Sequence, residues 1–203
     1  MWETFPNADT KRLFITERRN NMLVIHPKDK TTAMLSALYD QLGAHVVNTL
    51  CTTKEMERML HHVSSQERIM LLGHGSDQGL FFRHDDTKDA FDKIIVGHPH
   101  AFHLRRHGGN MVAVWCHADL FARAEGLHGL FSGMIISEMS EAMAYDVDTT
   151  QEELDRENVK LAQRLRTLLD EGMPLSDIPK RLSEMDDVHS PLTMFNYKSF
   201  YYL

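Results

Sequence analysis

"RIMLLGHGS", residues 68–76, runs apolar from Ile69 to Leu72 and then stops on a histidine between two glycines. A short apolar run bounded by turn residues reads as a strand buried on both faces, and such strands belong to parallel sheets. His74 is then either an incidental turn residue or a base held at a strand tip beside backbone N–H groups that Gly73 and Gly75 leave bare. The rest of the chain decides between these readings.

On both sides of that stretch, strand and helix signals alternate. Met22–Ile25, His45–Leu50, Met111–Trp115 and Met134–Ser137 are further strand candidates, and Ile94–Val96 is a strand or a buried loop. Helical spacing covers Thr31–Leu42 up to Gly43, then Glu55–His62, a long helix from Thr150 to Gly172, and Ser176–Met185. Thr150 and Glu153 have capping-box spacing, and Gly172 has the place of a helix stop. The aromatic tail Thr193–Tyr202 is β-prone, and the polar, acid-rich stretch Arg83–Lys93 reads as a surface loop. Short apolar strands alternating with helices predict one α/β domain over residues 1–203. Its expected form is a three-layer α/β/α sandwich with a mainly parallel central sheet.

Composition narrows the function. The net charge is -7 and no Lys/Arg block is present, which argues against a nucleic-acid partner. Cys51 and Cys116 form no CxxC pair and fit a reducing compartment rather than a disulfide framework. Residues 1–21 contain no apolar core of a signal peptide, and no apolar run approaches a membrane span. The expectation is a cytoplasmic protein without a membrane partner.

In parallel sheets the reactive groups gather at the carboxyl ends of the strands. His74 follows one apolar run, and Cys116 follows another in "NMVAVWCHAD", residues 110–119. On neighbouring strands the two side chains emerge at one sheet edge, where thiolate and imidazole can act as nucleophile and base. The N–H groups of Gly75 and Cys116 could then receive the oxyanion of a tetrahedral intermediate. The bland alternatives are a small buried Cys and a turn His.

The pairing of "IMLLGHGS" with "MVAVWCHAD" resembles the caspase-like cysteine peptidases, the group that includes metacaspases, clostripain, gingipains, legumain and separase. Cys116-His117 is similar to the start of the metacaspase Cys-His-Ser-Gly block, and "GMIISEMSEAMAYD" resembles the fifth strand and the loop that lines the substrate channel. The resemblance spans roughly residues 20 to 146. It implies a caspase-like fold and a cysteine endopeptidase acting on peptide or protein substrates without a cofactor or metal, with a homodimer allowed. Cys116 would be the nucleophile, His74 the general base and then the proton donor, and Gly75 with Cys116 the oxyanion hole. Ser137 would present backbone to an extended peptide. Substrate choice does not carry over, because Val114 stands where metacaspases have an acidic residue; Glu138, Glu141 and Asp119 are candidates for an acidic pocket wall.

Other patterns yield less. His98, His100, His103 and His107 could form a metal cluster, but their segment lacks a carboxylate or Cys and reads as an exposed polar helix near the site. "RHGGN" has the look of an esterase oxyanion loop, but no GxSxG elbow supplies its serine. The thirteen methionines are scattered and read as packing. A rival from another class is a sirohydrochlorin-type metal chelatase, whose strand-to-loop motif "LLGHGS" resembles and in which His74 would take up the metal. A catalytically inactive caspase-like binding module is the third reading.

Overall fold

In the computed structural model, residues 22–27, 29–83 and 93–203 are described. Segment 1–21, read above for targeting, and most of the acid-rich stretch (84–92) lie outside them. The elements are β1 (Met22–Ile25), β2 (His45–Val47), α1 (Thr53–His62), β3 (Arg68–Leu72), β4 (Gly75–Ser76), β5 (Gly79–Phe82), β6 (Lys93–Gly97), α2 (Ala101–Leu104), β7 (Met111–Val114), α3 (Ala118–Glu125), β8 (Leu130–Ser132), α4 (Met139–Ala144), α5 (Gln151–Asp170), α6 (Ile178–Glu184), α7 (Pro191–Tyr197) and β9 (Phe200–Tyr202).

Six strands form one sheet in the order β2-β1-β3-β7-β8-β9. All pairs are parallel except β8 with β9. Alternate residues of the central strands supply two cores. Val24, Met70, Leu72 and Val112 pack with Leu161, Leu165 and Leu168 of α5 and with Ile178 of α6. Leu23, Ile69, Leu71 and Ala113 pack with Met56 and Leu60 of α1 and with Phe121 of α3. Each fully buried leucine contributes about 1.5–3 kcal/mol relative to an exposed one. Helices therefore cover both faces of a mainly parallel sheet, an architecture compatible with a three-layer sandwich. Among the described residues, no helix is long and apolar enough to cross a membrane. A small antiparallel ribbon, β4-β5-β6, stands apart from this sheet; its third member settles Ile94–Val96 as strand.

β3 and β7 are neighbours and parallel, in register from Ile69↔Met111 to Leu72↔Val114, as the sequence reading requires. Four local expectations change. The helix expected over Thr31–Leu42 is a short 3-10 turn, Ala33–Leu38. Ahead of it, Asp29 Oδ1 accepts the N–H groups of Thr31 and Thr32 at 3.0 Å each, a side-chain turn that competes with regular helix. The fifth parallel strand is Leu130–Ser132 rather than Met134–Ser137, because Leu130 and Phe131 pair with Val112 and Ala113. Met134–Ser137 continues beyond the sheet without a strand partner. In the β-prone tail, a Ser190–Thr193 capping box with Pro191 in the first turn nucleates α7, and only Phe200–Tyr202 is strand. The histidine-rich segment is a chain of short turns with His100 and His107 buried, not an exposed polar helix.

Candidate active site

The strand order reverses between β1 and β3, since the chain goes outward to β2 and then returns across β1 to β3. Such switch points leave a crevice outside the carboxyl ends of the strands, where α/β sheets place their reactive groups. Three chain segments reach this edge: the turn after β1 with Asp29, the turn after β3 with His74, and the turn after β7 with Cys116.

His74 is 7% exposed and firmly held. Its Nε2 lies 2.9 Å from Asp29 Oδ2 and 2.7 Å from Thr31 Oγ1. Thr31 Oγ1 donates its own proton to Asp29 Oδ1 at 2.8 Å, so the neutral imidazole carries its hydrogen on Nε2 and its lone pair on Nδ1. Burial raises the Asp29 pKa, but contacts with His74, Thr31 and the Thr32 N–H outweigh it and hold the carboxyl well below the ordinary carboxylate range. Arg83 adds a cation 3.6 Å from Asp29 Oδ2. A carboxylate that fixes the tautomer and orientation of an imidazole is the arrangement that supports a general base.

Cys116 sits at the bend between β7 and α3. The residue after it, His117, adopts φ 68°, left-handed for a non-glycine, at a cost of about 1–3 kcal/mol. Its N–H donates to Gly133 O at 3.1 Å, and the Trp115 N–H donates to Ser132 Oγ at 3.0 Å. Among the described residues, no acceptor takes the Cys116 N–H between them. The thiol faces Ile135 O at 3.5 Å and Glu141 Oε1 at 3.9 Å. Burial, then the Glu141 charge, push its pKa up to about 12. His74 is thus engaged by Asp29, while Cys116 stays a neutral thiol beside a carboxylate.

His74, Val114, Cys116, Ile135 and Ser137 line one cavity of about 20 Å³, room for about one water. Thr31 and Ser137 also line a wider hollow of about 370 Å³ with Asp29, Arg83 and Glu138, and one of about 620 Å³ with Met34, Gln151 and Asn158. Most predicted site residues thus converge. Asp119 does not: it is buried in α3, 4.0 Å from Arg123, and lines none of these hollows. Gly75 stands in β4, and a Cβ there would overlap the Trp115 ring and the Gly79 carbonyl, so close packing alone already requires glycine.

Two features escaped the sequence reading. Asp29 carried a findable signal, since it is an acidic residue just past a strand's carboxyl end in "MLVIHPKD". The clamp on Ile136 did not: its N–H donates to Asn196 Oδ1 at 2.9 Å, and its carbonyl accepts from Asn158 and Asn196 at 2.9 and 3.0 Å. Comparisons with family models, curated proteins and solved structures give no match.

Proposed function

We propose that this chain is a cysteine endopeptidase of the caspase-like kind. The observation that carries the proposal is the carboxylate-held His74 converging with Cys116 on one small cavity at the sheet's switch point. In the reaction, His74 Nδ1 takes the thiol proton as Cys116 Sγ attacks the scissile carbonyl. Asp29 stabilises the imidazolium that forms. The Cys116 N–H, joined by that of Gly75, receives the oxyanion. His74 then gives its proton to the leaving amine, and the acyl-enzyme is hydrolysed by a water that His74 deprotonates. The fold this implies is the caspase-like three-layer sandwich.

The chelatase reading draws no comparable support, because no three His, Cys, Asp or Glu side chains among the described residues gather as a metal site. The inert binding module is the reading that the test must beat. Incubation with a mixed-sequence peptide library, with products read by mass spectrometry, should give cleavage that Cys116→Ala and His74→Ala each abolish. Cleavage that persists in Cys116→Ala would overturn the proposal.

A further inference from the structure

The segment Ile135–Glu138 is the wall that an extended peptide would have to pair with, yet the backbone donors of Ile136, Ser137 and Glu138 are already engaged. The Ile136 N–H is held by Asn196 on the far side. On the near side, Glu141 Oε2 accepts from the Ser137 N–H at 2.7 Å, from Ser137 Oγ at 3.1 Å and from the Glu138 N–H at 3.1 Å. An ordinary capping box would account only for the last of these. The same carboxylate also presents Oε1 to the Cys116 thiol at 3.9 Å. One side chain therefore occupies the peptide-pairing donor and sets negative charge against the nucleophile.

Resting on the peptidase reading, we infer that Glu141 is a latch that keeps the site closed, and that an incoming peptide opens it by supplying its own carbonyl to the Ser137 N–H. The cavity between His74 and Cys116, about 20 Å³, is too small for a peptide carbonyl and its neighbours and fits the closed state. Withdrawal of the carboxylate does two things at once. It frees a main-chain donor for strand-like pairing, and it removes the charge that disfavours the thiolate. Burial remains the larger influence on the thiol, and Glu138 contributes a weaker charge of the same sign. Release is therefore partial until substrate brings Cys116 and His74 together.

The test is the rate of Cys116 alkylation by iodoacetamide at pH 7.5 in the full chain without substrate, with Cys51 as internal reference. Glu141→Gln keeps an acceptor for the Ser137 N–H but removes the charge, and it should speed Cys116 alkylation about tenfold or more while leaving Cys51 unchanged. Ser137→Ala keeps the charge and removes one of its anchors; a smaller acceleration, about two- to fivefold, is expected. It also serves if the first variant fails to fold. An unchanged Cys116 rate in the folded variants overturns the latch, as does equal acceleration of both cysteines. Peptide cleavage is measured in parallel: faster alkylation without any cleavage keeps the latch and removes the peptidase reading instead.

Discussion

The turn that carries His74 and the turn that carries Cys116 leave adjacent strands at the same edge, yet they are in opposite states. Around His74 the partners are already in place: Asp29 Oδ2 and Thr31 Oγ1 hold Nε2, and the Arg83 guanidinium lies against the same carboxylate. Around Cys116, burial and then the Glu141 charge outweigh the Ile135 carbonyl contact and keep the thiol protonated. On the proposed peptidase reading, the base is assembled before substrate arrives, whereas the nucleophile is held back. A base can be kept ready without harm, but an exposed thiolate would oxidise or alkylate, so the asymmetry protects the reactive group.

The largest effect that sharpens this comparison is Cys116→Ala, which should abolish peptide cleavage while leaving the fold intact, because β7 ends before it. Next is Asp29→Asn. If Asp29 sets the His74 tautomer, kcat should fall by about 10²–10⁴-fold, while Cys116 alkylation in the free protein hardly changes. A matching loss in alkylation would show that the two halves of the site are coupled at rest.

Gly75→Ala tests the packing of the His74 turn. The added methyl must displace the Trp115 ring or the Gly79 carbonyl, which should cost about 1–3 kcal/mol in denaturant unfolding. No loss would mean that β4 shifts freely.

Acid should act on the buried histidines more gently. Burial lowers the pKa of both His100 and His107 below the ordinary imidazole value of 6.5. Their folded-state contribution is therefore present above that value and fades as pH falls through and below it, because the unfolded chain binds protons first. Asp29 adds stability that is present above the ordinary carboxylate value of 3.8 and is lost progressively as pH falls through and below it. Melting curves should show a first decline as pH falls through about 6.5, which His100→Gln with His107→Gln removes. The smallest effect is expected from Glu138→Gln. Glu138 is half-buried in a hollow that Arg83 also lines, so the preference for a cationic residue at the cleavage site should change about twofold or less.

The sequence made the sheet legible where residues are buried on both faces. Ile69–Leu72 and Met111–Val114 are uniformly apolar, and their pairing follows from the parallel-sheet rule. It was less informative where an apolar run is longer than the strand it holds: in "LFSGMIIS" only the pairing of Leu130 and Phe131 with β7 tells strand from the extension that follows. His74 and Cys116 were visible because strand ends are marked by composition. Asp29 was passed over, although it also follows a strand. Glu141 was named only as a candidate pocket wall. Its contact with the thiol joins residues 116 and 141 through a fold-dependent approach that no local spacing encodes.

In the proposed reaction Cys116 attacks a peptide carbonyl with His74 as its base. This step is tested most directly by exposing the protein to peptidyl acyloxymethyl ketones of varied P1 residue and mapping the adduct by peptide mass spectrometry. One adduct is expected, on Cys116, formed by at least one P1 class, lost in His74→Ala and slowed in Asp29→Asn. Adducts on Cys51 alone, or labelling of Cys116 indifferent to His74, would contradict it.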